Sequence, residues 1–224
     1  MGDVVATLIG SGVVSLLVTV AFVVTHHDPV NGWGLIVTAS APWLVLAGWP
    51  RYVTARKGNG PRIDLGLVAK RTHIRFGVVA GVAGLGAAFV AATITQHFTG
   101  PITSTAGEVS SRQHGLVLVA FAFLTVFGAP IAEEIAFRGL LFTTLAKSGM
   151  NQFACVVVTA AIFAMFHFEP QRFFILFLIG CVLGEVRRRT GTTVASIATH
   201  MVINLPSALG MLVAAVTTAM PFSG

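Results

Sequence analysis

From Val4 to Thr25 the chain runs without a charged residue, and further apolar segments of this kind follow along the sequence. A helix needs about 20 such residues to cross the hydrocarbon core of a bilayer. Lipid offers no partner for backbone N–H and C=O groups, so segments of this kind must close their hydrogen bonds internally as helices. With 55% hydrophobic and only 10% charged residues in 224, the composition excludes an ordinary soluble domain. The expectation is one all-α integral-membrane domain over 1–224, a bundle of about eight transmembrane helices around a polar cavity. The net charge of +6 is spread between hydrophobic segments rather than gathered in a patch, which argues against nucleic-acid binding. Cys155 and Cys181 lie in apolar runs without the spacing of a zinc cluster or disulfide framework, and read as packing residues.

No basic leader precedes Val4 and no small-residue cleavage site follows, so the first segment reads as a membrane helix rather than a signal peptide. A second helix is expected over Gly32 to Trp49, ended by Pro50, and a third over Phe76 to Ile94, with Gly77, Gly81 and Gly84 permitting close helix contact. Between them, residues 51–75 carry seven Lys and Arg residues, which places this loop in the cytoplasm by the positive-inside rule. Part of it, near Ile63 to Ala69, reads either as a short amphipathic helix on the leaflet or as a solvated loop. The Thr-, Ser- and Gly-rich loop from Thr95 to His114 suits the opposite side. Later hydrophobic segments fall near 115–146, 152–168, 173–186, 193–206 and 207–220, which puts both termini in the cytoplasm; the last two are only weakly divided by Leu205-Pro206-Ser207 and could instead be one bent element.

Ionisable groups within these segments are costly and normally face a protein interior or water. Glu185 lies beside Arg187 to Arg189, and Glu169 beside Arg172, so both read as interfacial ion-pair partners. Glu133, Glu134 and Arg138 do not have that explanation. Glu134 and Arg138 stand at i and i+4 and can pair on one helix face, whereas Glu133 is rotated by about 100° and has no helical cation of its own. It is the candidate general base. Gly128-Ala129-Pro130 should bend the helix just before it and open a cavity. If the chain turns back at Lys147 to Asn151, Glu133 and His167 lie at one depth, with Phe163 packed one turn behind the imidazole. His200 and Asn204 add an imidazole and an amide at i and i+4 on a later helix. A carboxylate, two imidazoles and a carboxamide around one watery pocket could activate water and stabilise an oxyanion.

Three motifs occur here in order: Glu133-Glu134-Ile135-Ala136-Phe137-Arg138 as EExxxR, Phe163 to His167 as FxxxH, and His200 to Asn204 as HxxxN. In these the chain resembles the CPBP family of intramembrane proteases, the CAAX prenyl protease and bacteriocin-processing (Abi) proteins, over a core of about 115–206. The resemblance implies an intramembrane endopeptidase of eight helices whose site, in CAAX-cleaving members, opens towards the cytosol. It implies that Glu133 is the general base, that His167 helps it activate water, that His200 and Asn204 hold the oxyanion, and that Glu134 and Arg138 support the architecture. The substrate would be a peptide or protein, prenylated at its C-terminus in the familiar case, met within the lipid bilayer. Glu133, His167 and His200 could also bind zinc. Yet HExxH is absent and Asn204 is a poor zinc ligand, so a metal-free mechanism stays open beside the zinc one. The rival functions are a non-catalytic immunity or scaffold protein of this fold and a proton-coupled transporter using Glu133 and the histidines as a relay.

Overall fold

The computed structural model describes residues 1–219, and no strand occurs among them. Nine helical segments follow one another: α1 (Gly2–Val24), α2 (Trp33–Lys57), α3 (Pro61–Asp64), α4 (Arg71–Thr99), α5 (Thr105–Ser110), α6 (Gly115–Lys147), α7 (Gln152–Phe166), α8 (Phe173–Thr190) and α9 (Thr193–Ala219). Of these, α1, α4, α6 and α9 are long and apolar enough to cross a membrane by length and composition. The chain is an integral membrane protein. Its seven long helices run alternately up and down, with α6 through the middle against α1, α2, α7, α8 and α9.

Two sets of polar contacts define the ends of the bundle. At one end Lys57 pairs with Asp3 at 3.0 Å, Lys147 with Asp64 at 2.8 Å, and the Thr193 N–H donates to the Gly66 carbonyl at 2.9 Å. At the other, the Gly32 N–H donates to Gln113 Oε1 at 2.9 Å and the Thr105 N–H to Glu169 Oε1 at 2.7 Å. The first is here termed the basic end and the second the loop end.

Several elements differ from the sequence expectations, each for a physical reason. Pro50 does not end α2, which continues to Lys57. Two stretches of α6, Leu124–Gly128 and Ile135–Leu141, are π-helical and flank the α-helical Ala129–Glu134 that holds Pro130, so the interruption expected there is a widening of the helix on either side rather than a break. Within the stretch near Ile63 to Ala69, Ile63 is exposed but the chain after it is packed against the bundle rather than left as a solvated loop. After the single turn of α3, Leu65 is fully buried, and Thr193 Oγ1 and Thr192 Oγ1 donate to the Leu65 and Gly66 carbonyls at 2.6 and 2.8 Å. Gly191, in the left-handed region at φ +69°, makes the turn that presents these threonines. Within the loop, the Lys147 ammonium holds the Asp64 carboxyl below its usual range, keeping the clamp charged under mildly acidic conditions.

The C-terminal segments expected as two helices are one. α9 passes through Pro206 as a single element, so seven long helices stand where eight crossings were expected. Met1 therefore lies at the basic end and Ala219 at the loop end, not both on one side; residue 220 of the expected last segment lies outside the described residues.

The reading of the α4 glycines holds. Gly77, Gly81 and Gly84 face α9, and a Cβ at Gly81 would stand 2.6 Å from Val202 Cβ. Gly86 on the same helix faces open space. Gly81→Ala is expected to destabilise the protein by about 1–3 kcal/mol through overpacking, and Gly86→Ala to leave stability unchanged or slightly raised. Thermal unfolding of both variants in detergent checks the contrast.

Candidate active site

Glu134 and Arg138 are both fully buried, with Arg138 Nη1 donating to Glu134 Oε1 at 2.9 Å. A buried pair survives only when its remaining hydrogen-bonding capacity is also used. Arg138 meets this in part, donating from Nη2 to the Gly180 carbonyl of α8 at 2.8 Å and lying 4.7 Å over the Phe163 ring of α7, while Arg138 Nε and Glu134 Oε2 are buried without a hydrogen-bond partner. Gly180 also lets α8 lie close against α7, since a Cβ there would meet Ala160 Cα at 2.9 Å. Arg187 anchors the same turn from below, donating to the Arg138 carbonyl at 3.0 Å.

The sequence reading gave Glu134 one partner; it has two. His200 Nδ1 lies 3.1 Å from Glu134 Oε1, the oxygen that Arg138 also uses, while His200 Nε2 is 3.9 Å from Glu133 Oε2. The imidazole of α9 stands between the two adjacent glutamates. Against a carboxylate paired with arginine, Nδ1 must donate, which turns Nε2 towards Glu133. Glu133 itself is 16% exposed where Glu134 is wholly enclosed.

His167 caps the end of α7, and its Nδ1 is 2.8 Å from the Phe163 carbonyl. A carbonyl can only accept, so Nδ1 donates and Nε2 is the nitrogen left for chemistry. Phe163 is the shared packing surface: its ring centroid lies 4.6 Å from that of His167 and 5.9 Å from that of His200, in edge contacts. Asn204 Nδ2 donates to the Thr125 carbonyl at 2.9 Å, in the first π-helical turn of α6. One N–H of that amide is thereby fixed and the other is spare.

Glu133, His167, His200 and Asn204 all line one cavity of about 550 Å³, together with Phe163 and Thr125. Three separate helices thus converge as the spacing argument required. Glu133 and His167 also border a second recess of about 620 Å³ at mid-helix depth between α1 and α2, edged by Ser11, Thr19, Thr38 and Trp43. The two side chains form a wall common to both spaces. Among the described residues no group of three or more His, Cys, Asp and Glu is arranged to hold a metal ion, so Glu133, His167 and His200 do not fit a preassembled zinc site.

Spacing alone could not reveal Thr125, the Gly180 carbonyl or Arg187, because each acts through backbone contacts made by tertiary packing. The set-aside acids behave as expected. Glu185 pairs with Arg188 at 2.6 Å and Arg189 at 2.5 Å, and Glu169 pairs with Arg172. The cavity reaches the loop end, through Ser104, Gly107, Ser111, Glu169 and Arg172.

Glu134→Gln removes one charge of a fully enclosed pair and is expected to cost about 3–5 kcal/mol. Glu133→Gln, at the cavity wall, should change stability by less than about 1 kcal/mol. Melting temperatures of the two variants in detergent measure this difference without any assay of activity.

Residues 115–206, about two-fifths of the chain, match the family described as Type II CAAX prenyl endopeptidase Rce1-like. No curated protein and no solved structure matches the chain. The matched stretch holds all three motifs together with Glu133, His167, His200 and Asn204, and over it the chain is similar to that family.

Proposed function

We propose that the protein is an intramembrane endopeptidase that hydrolyses peptide bonds with water activated by Glu133. The observation that carries the reading is the placement of Glu133 against His167, His200 and Asn204 on one cavity, with the neighbouring carboxylate locked away by Arg138. In this reading a water held between Glu133 and His167 Nε2 attacks the scissile carbonyl carbon and gives its proton to Glu133. The carbonyl oxygen becomes an oxyanion, which accepts hydrogen bonds from the spare N–H of Asn204 and from His200 Nε2 when that nitrogen is protonated. The C–N bond then breaks, and the proton on Glu133 passes to the departing amine, leaving the enzyme unchanged.

Glu134 has a share in this chemistry through geometry. By accepting from Nδ1 it fixes the tautomer and tilt of His200, with Nε2 turned towards Glu133. Zinc would supply a Lewis acid and a bound hydroxide if held by Glu133, His167 and His200, but their arrangement does not favour it and no step above needs it. A prenyl group on the substrate is likewise not needed by any residue in the scheme.

Glu133→Gln should lower peptide cleavage by at least about 100-fold while the melting temperature holds, since the amide keeps the shape but cannot take a proton. Asn204→Ala is expected to lose about 100- to 1,000-fold in kcat with a smaller change in KM. Unchanged turnover by Glu133→Gln would favour a non-catalytic scaffold. Activity that survives exhaustive chelation supports the metal-free scheme; loss restored by zinc replaces it with a metal-dependent one.

A further inference from the structure

The charges and the cavity point to opposite sides of the membrane. Eleven of the fourteen Lys and Arg residues sit at the basic end, from Arg51 to Arg75 and at Lys147 and Arg187 to Arg189. The loop end has two, Arg112 and Arg172, and Arg172 is paired with Glu169; the remaining one, Arg138, is enclosed in the bundle. Short loops of this charge are retained in the cytoplasm, and basic side chains are attracted to an anionic leaflet.

The way to Glu133 lies at the other end. Ala106, Gly107 and Ser111, all exposed, edge the mouth of the catalytic cavity. α5 is moored beside it by the Thr105 N–H bond to Glu169. The Glu169 carboxyl resists protonation there: burial opposes its charge, but the Thr105 N–H and Arg172 outweigh that and hold it below its usual range. Below the site the basic end is closed. Leu65 fills the space against Gly139, Thr192 and Thr193 bind the Leu65 and Gly66 carbonyls, and Arg187 covers the Arg138 carbonyl. The recess at that end, of about 150 Å³ between Asp3, Asp64 and Lys147, includes none of the four site residues.

We infer that the catalytic cavity opens on the non-cytoplasmic side, and that its substrate is a peptide segment presented from that side, such as the translocated part of a membrane-inserted or secreted polypeptide. The substrate half of this inference rests on the peptidase reading; the orientation half does not. A soluble cytoplasmic C-terminus would meet the closed basic end, whereas a translocated segment meets the mouth directly.

The test uses the full chain with Cys155 and Cys181 replaced by Ala and one new cysteine at either end, Ser111→Cys at the mouth or Ile63→Cys in the exposed part of the basic loop. A membrane-impermeant maleimide is applied to intact cells and again after permeabilisation. Ser111→Cys should label in intact cells and Ile63→Cys only after permeabilisation; the reverse pattern overturns the inference. Everted and right-side-out vesicles are then given an external unprenylated peptide library. Cleavage by right-side-out vesicles, absent in the Glu133→Gln variant, supports the substrate half, and cleavage confined to everted vesicles overturns it. The expected labelling with cleavage in neither preparation rejects the peptidase reading and leaves the orientation standing.

Discussion

Everything at the centre of this protein hangs on one enclosed carboxylate. Glu134 Oε1 accepts from Arg138 on its own helix and from His200 on α9, while Arg138 reaches on to α8 at the Gly180 carbonyl and lies over Phe163 of α7. Four helices are thereby indexed to a single oxygen. Apolar side chains inside a bilayer have little reason to prefer one neighbour over another, since lipid is as apolar as the protein interior. A charge that must be matched has no such freedom, so the pair selects one arrangement of helices out of many with similar contact area.

The same carboxylate explains why two adjacent glutamates can behave so differently. The rotation of about 100° between neighbours on a helix sends one inward and the other to the cavity wall. His200 spans that difference with its two nitrogens, one held by the enclosed acid and the other facing the accessible one. Fixing one nitrogen of an imidazole determines what the other can do. The protein thus places its enclosed and its cavity-facing polar groups in direct contact, and a change in either would be felt by both.

The apolar spans, the turn at Lys147 to Asn151 and the glycine face of α4 were legible in the sequence because each depends on local periodicity or on residue size. The grouping of Glu133, His167, His200 and Asn204 was legible because helical rise sets depth, and depth is countable from a turn. What escaped were features that need a third dimension. Whether Pro206 divides the last segment was open in the sequence, because the continuity of α9 depends on packing that outweighs the local preference to break. The burial of Leu65 within a loop of conspicuous charge depends on threonines more than a hundred residues away. The His200 bond to Glu134 joins residues 66 apart, and neither motif specifies the partner of the other. The end that the cavity reaches was not legible for a related reason: loop charge tells which end is basic, but only the packed bundle tells which end is hollow.

The π-helical turn at Leu124–Gly128 carries Thr125, whose carbonyl receives Asn204, and it lies directly ahead of the two glutamates. Such a turn accommodates one more residue than an α-helical path would, so the angular position of every later side chain on α6 depends on that surplus being present. A chain one residue shorter there could keep all three motifs letter for letter and still turn Glu133 away from His200. For this architecture the residue count ahead of the first motif is information of the same rank as the motif itself, and a sequence carrying the letters without the count would be a bundle of this type with its acid facing elsewhere.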